Sequence, residues 1–275
     1  MVVHTEIVKS GKYQFKIKCN IETFRDQILI HTYKVGGDLS DCVNISYFYK
    51  DNKPIKVKIP HILYEPECSV GTTLETGGGT EIMIKTAIRY AYNEVDTLSN
   101  FEFEDNSHID CIGKTMSDSA PRKTIRPLNL AYFYIAYHGM TWYEARFNAE
   151  MADKVKYKIY KEKLKFLTNP VEKMPYEKFI SMIGSSFDSV ETALYLEKLY
   201  NKAQTYREFF EAIPKSKRCD ILYSWLNTFM EKYIGSVYSH SGWIINVNTM
   251  DNPKNMVGGS LKNVRIFTYK KIQNF

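Results

Sequence analysis

One stretch limits what this chain can fold into more than any other. Residues Ile59 to Val95 read IPHILYEPECSVGTTLETGGGTEIMIKTAIRYAYNEV. The apolar run Ile59, Ile62, Leu63 and Tyr64 has the length and content of a buried strand. A loop follows that ends in Gly77, Gly78 and Gly79. Ile84, Ala87, Ile88, Ala91 and Val95 then recur at helical spacing, which places them on one face of a helix starting just after the glycines. Glycines allow close approach of the backbone to a ligand, and a helix start offers free N–H groups and the positive end of a dipole. Gly77, Gly78, Gly79 and Thr80 are therefore candidates to hold a phosphate. The alternative is that the glycines only make a tight connection.

The sixty residues before this stretch alternate as strands do. Tyr13, Phe15, Ile17 and Cys19 lie on one face of residues 12–19, with lysines and a glutamine on the other. Residues 27–35 form a second expected strand, turning at Gly36-Gly37. Residues 43–49 and 54–59 flank an expected hairpin turn at Lys50–Lys53. Beyond the helix, residues 101–105 read as a short strand and 113–127 as a polar loop. Residues 128–137 fit strand or buried helix, and their aromatic content favours strand. Thr141 is placed to cap a helix from Trp142 to about Ala149, with Glu144 three residues on as in a capping box. Asp188 is placed to cap a helix reaching about Ala212, which Pro214 ends. Leu222 to Tyr233 form a further amphipathic helix that stops near Gly235. The tail NVRIFTYKKI alternates like a last strand.

With 44% hydrophobic and 25% charged residues in 275, the chain is an ordinary globular one with ample core. No apolar run is long enough for a membrane helix, and the N-terminus does not read as a secretory signal, so a cytoplasmic protein without a membrane partner is expected. Five scattered cysteines without a C-x-x-C pair predict reduced thiols, no zinc site and no disulfide framework. The net charge of +6 is compatible with an anionic cofactor or nucleic acid and demands neither.

The order of strand, glycine loop, helix and strand after an antiparallel meander resembles the GNAT acyltransferase superfamily. LETGGGT (Leu74–Thr80) looks like its pyrophosphate loop, with Gly77 and Gly79 at the glycine positions. TWYEARFNA (Thr141–Ala149) looks like its later helix, where Tyr143 matches the tyrosine that protonates the departing CoA thiolate. The chain is also similar to GNAT-like proteins of large DNA viruses. The resemblance spans about residues 12–150. It implies acetyl-CoA as cofactor and a small amine or a protein amine as acceptor, with a location in host cytoplasm or virion. Three features depart from the pattern: Leu74 replaces a polar loop residue, Arg146-Phe147-Asn148 replaces Gly-Phe, and the segment before Trp142 is longer.

Acyl transfer to an amine needs a base, oxyanion donors and an acid for the thiolate. Glu65 and Glu67 are the candidate bases, with Pro66 between them placed to bulge the strand. Tyr143 is the candidate acid. His108 with Cys111 lacks a second pair for a metal, and Ser185-Ser186 lacks the flanks of a nucleophile elbow. The six lysines between Asp153 and Lys165 read as a solvated face or as a basic patch for an anionic partner. The fold expected is α+β: a GNAT-like mixed sheet with flanking helices at about 1–165, then a mostly helical domain at about 170–275 that is a possible protein-binding surface. The alternative to an enzyme is a GNAT-fold protein without chemistry, serving a virus as a structural or interaction component.

Overall fold

The computed structural model describes residues 3–10, 13–23, 29–62, 66–73, 79–95, 98–115, 122–184, 190–237, 242–250 and 265–267. Its first elements are β1 (Val3–Ser10), β2 (Tyr13–Thr23), β3 (Leu29–Gly36), β4 (Asp41–Lys50), β5 (Lys53–Ile62), α1 (Pro66–Ser69), α2 (Gly79–Val95) and β6 (Asn100–Glu104). Then come β7 (His108–Thr115), β8 (Arg122–Asn129), α3 (Leu130–His138), α4 (Trp142–Phe147), β9 (Glu150–Met151), α5 (Lys154–Lys163), α6 (Tyr176–Ile183) and α7 (Val190–Lys202). The last are α8 (Tyr206–Ala212), α9 (Arg218–Leu222), α10 (Leu226–Ile234), β10 (Gly242–Asn246), α11 (Val247–Met250) and β11 (Arg265–Phe267). The fold is α+β. Its two compact units interleave along the chain, Met1–Glu104 with Arg146–Ala149 and Trp243–Phe275 in one, Asp105–Ala145 with Glu150–Gly242 in the other. That division differs from a single boundary near residues 165–170.

The first unit is built on a mixed sheet in the order β11-β1-β2-β3-β4-β5-β6-β10. Phe15 and Ile17 of β2 are buried, while Lys16 and Lys18 turn to the other face and pair with Asp38 and Asp41. Val43, Ile45 and Tyr47 of β4 and Val57 and Ile59 of β5 continue the buried face. The hairpin between β4 and β5 turns on Asp51 and Asn52, both left-handed at φ 51° and 59°, as a tight two-residue loop requires. Met83, Ile84, Ala87, Ile88 and Ala91 of α2 are buried, and the helix packs on β2, β3 and β4. β5 and β6 run parallel, with Lys58 opposite Glu102 and Ile59 opposite Phe103. The next residue of β5 is Pro60, which has no N–H with which to continue the ladder.

The second unit is mostly helical, with one antiparallel hairpin, β7–β8. Its core is aromatic: the ring of Phe179 lies 4.6 Å from Tyr200, 5.3 Å from Trp225 and 5.8 Å from Phe229, mostly edge to face.

Several sequence expectations are corrected here. Much of 113–127 is not a loop but the two strands β7 and β8, whose backbone pairing a polar composition hides. Most of residues 128–137 is the helix α3, not a strand. Asn129 caps it by accepting from Ala131 N, and Gly139 closes it at φ 72°. The long helix expected up to Ala212 is α7 and α8, because Thr205 starts a new helix by accepting from Glu208 N. The helix expected from Leu222 is likewise divided at Tyr223–Trp225. Pro66 opens the one-turn helix α1 instead of bulging a strand, a position proline favours. Finally, Cys42 is bonded to Cys68 and Cys111 to Cys219, and Cys19 is in neither disulfide. The bonded partners are 26 and 108 residues apart, so the fold and not local spacing brings them together.

Candidate functional site

The glycine segment is entered from a fixed approach. Thr73 N donates to Gln14 O at 3.1 Å, and Gln14 N donates to Thr73 Oγ1 at 2.7 Å, which adds a rung to the edge of the chain at β2. Asp38 N donates to Val70 O at 2.8 Å, and the Cys42–Cys68 bond ties α1 to β4. Gly37 is needed at this contact, since a Cβ there would collide with the Val70 and Cys68 carbonyls.

Gly79 is the first residue of α2, and Thr80 and Glu81 follow, half-buried in its first turn. Glu81 Oε1 accepts from Lys85 Nζ at 2.6 Å, and its Oε2 lies 3.6 Å from Arg146 Nη1. Lys85 is itself buried, with its ammonium 5.6 Å from the centre of the Phe147 ring. Two cations thus meet one carboxylate at the positive end of a 17-residue helix. The local surplus is positive, which suits an anionic ligand. Arg146 brings charge to the helix start. Lys85 and Glu81 sit at i, i+4, a spacing that the sequence itself displays. Gly77, Gly78, Leu74 and Glu65 lie outside the described residues.

Glu67 is exposed in the first turn of α1, and its carbonyl accepts from Val70 N at 3.4 Å. A solvated carboxylate there can take a proton through water. Tyr143 belongs to the second unit and is only 5% exposed. Its ring lies 5.0 Å from Trp142. Burial, together with the charge of nearby Asp105, pushes its phenol well above the usual tyrosine range. Asp105 is buried as well. Burial raises its carboxyl, opposed by the hydrogen bonds it accepts from Ser107 N and Oγ.

The remaining candidates separate clearly. Cys111 is bonded to Cys219, so it is neither a thiolate nucleophile nor a metal ligand in this state, and His108 is exposed at the start of β7. Among the described residues no cluster of His, Cys, Asp and Glu is placed to hold a metal, and no helix is long and apolar enough to cross a membrane. The lysine-rich stretch is α5, capped by Asp153, whose carboxylate accepts from Val155 N and Lys156 N.

No family model, no curated protein and no solved structure matches the chain.

Proposed function

We propose that the first unit is a GNAT-like domain that binds acetyl-CoA, and that the protein is an N-acyltransferase acting on an amine. The observation that carries this reading is the parallel pair β5–β6 in an otherwise antiparallel meander, connected through the glycine segment and α2. Pairing of the two strands stops at Pro60, and ligands of open sheets bind beyond the carboxyl ends of such strands. The N-terminus of α2 lies on the same connection, with Lys85 and Arg146 adding positive charge.

Acetyl-CoA supplies the activated acyl group. Gly77, Gly78, Gly79 and Thr80 bind its pyrophosphate through backbone N–H groups. Glu67, or Glu65, takes a proton from the acceptor ammonium through water, which frees the nitrogen lone pair to form the amide. Tyr143 gives its proton to the sulfur as the carbon–sulfur bond breaks. A tyrosine phenol is protonated at neutral pH, as an acid for the thiolate must be.

A second reading is favoured by the burial of Tyr143: a GNAT-fold protein that binds ligand without turnover and serves as a structural or interaction component, including of a large DNA virus. The two are separated by following free thiol while the full chain is mixed with acetyl-CoA and either small amines or lysine peptides. Amine-dependent thiol release that is lost in Tyr143→Phe supports the enzyme. Binding without release supports the second reading, and an absence of binding contradicts both.

A further inference from the structure

The outward face of α5 has an arrangement that neither the core nor the glycine segment uses. Val155 is 70% exposed and Ile159 is 50% exposed, one turn apart on the same side of the helix. Helical spacing puts Lys156 and Lys163 along one flank of this pair and Lys158 along the other. Among the described residues Lys156 makes no ion pair, Lys158 acts on Glu162 without closing a salt bridge, and the Lys163 ammonium lies beside Gly235 at the end of α10, whereas Lys154 pairs with Glu150, Lys161 with Glu144 and Lys165 with Glu162. The opposite side of α5 is fully engaged. Tyr160 is buried and, with Tyr157, donates its hydroxyl to Glu144.

We propose that this face of α5 lies against an anionic phospholipid surface. The exposed lysines supply attraction to headgroup phosphates, and Val155 and Ile159 enter the boundary between headgroups and acyl chains. The chemistry of the face decides among anionic partners. Centres of protein interfaces favour aromatic residues and methionine and disfavour lysine, and both tyrosines of this helix point inward. Nucleic-acid phosphates would use the lysines but leave two solvent-exposed aliphatic side chains unburied. A lipid surface uses both. A spanning helix is not required, because a helix of this kind lies in the interface plane.

The test is co-sedimentation of the full chain with vesicles of phosphatidylcholine alone and of phosphatidylcholine mixed with phosphatidylserine. Binding to the mixed vesicles only, weakening as salt rises, is the expected result. Replacing Lys156, Lys158 and Lys163 with glutamine should weaken it about a hundredfold, at roughly fivefold per lysine. The Val155→Ser, Ile159→Ser double variant should weaken it about tenfold. All five side chains are exposed, so both variants should melt with the parent protein. Equal binding to both vesicle types, no binding to either, or binding that survives the Val155 and Ile159 changes would overturn the proposal. So would retention on polyglutamate or duplex DNA without vesicle binding.

Discussion

The first turns of α2 and α4 each contain a glutamate, and the two glutamates are used in opposite ways. Glu144 in α4 is buried and is spent on internal donors: Thr141 N at 2.7 Å, Tyr160 Oη at 2.7 Å, Tyr157 Oη at 3.0 Å and Lys161 Nζ at 3.1 Å. Its own N–H returns a bond to Thr141 Oγ1 at 3.2 Å, which completes a capping box. Glu81 in α2 is half-buried and faces two cations, Lys85 and Arg146, with charge to spare at a helix start. A carboxylate whose donors are all internal is a structural knot. A carboxylate outnumbered by cations beside glycines leaves a positive site for something else to fill.

The largest effect should come from breaking the knot. Glu144→Ala leaves a buried and a half-buried tyrosine hydroxyl, a lysine and a helix cap without their acceptor, and should cost about 3–5 kcal/mol in urea unfolding. Glu81→Ala should cost less, about 1–3 kcal/mol in the same measurement, because it strips the carboxylate from the buried Lys85 ammonium but leaves it the Phe147 ring, and because exposed Arg146 is open to water. Similar losses for the two would erase the distinction.

The disulfides sharpen the comparison between the units. The Cys111–Cys219 bond closes a separation of 108 residues and Cys42–Cys68 one of 26. Each contributes on the order of 2–4 kcal/mol, and loop entropy favours the longer by about 1 kcal/mol. Cys111→Ser should therefore lower the urea midpoint more than Cys42→Ser. Thiol counting on the denatured parent protein, with one free thiol expected, checks that both bonds exist.

A smaller effect belongs to Asp105. Burial raises its folded pKa above the usual 3.8, so the folded state holds the proton more tightly than the unfolded chain does. Stability from this group is whole below the unfolded value and is lost as pH rises through the folded one. Asp105→Asn keeps an acceptor for Ser107 N and should be more stable than the parent protein near about pH 7, with the gain vanishing near about pH 3.

Much of the sheet was legible because its signal is local. Alternation in β2, the Asp51-Asn52 turn and the apolar face of α2 each follow from a few adjacent residues. The capping box at Thr141–Glu144 is plain in the sequence, and Thr205–Glu208 has the same spacing, which marks the break between α7 and α8 that the continuous apolar face before it conceals. Asn129 and Gly139 bracket α3 in the same way, and these caps outweigh the aromatic content that suggested a strand. β10 is not legible in the sequence, because five residues, GWIIN, carry too little pattern. Cysteine pairing and the meeting of Arg146 with Glu81 depend on tertiary proximity, which spacing alone does not encode.

Calorimetric titration of acetyl-CoA into the parent protein and into Gly79→Val tests the central claim most directly. The account predicts saturable binding to the parent protein. It predicts none to the variant, whose added side chain sits at the first residue of α2 where the pyrophosphate would approach. The melting temperature should change little between the two. A parent protein that does not bind, or a variant that binds as well as the parent, would contradict the reading of the glycine segment as an anion site.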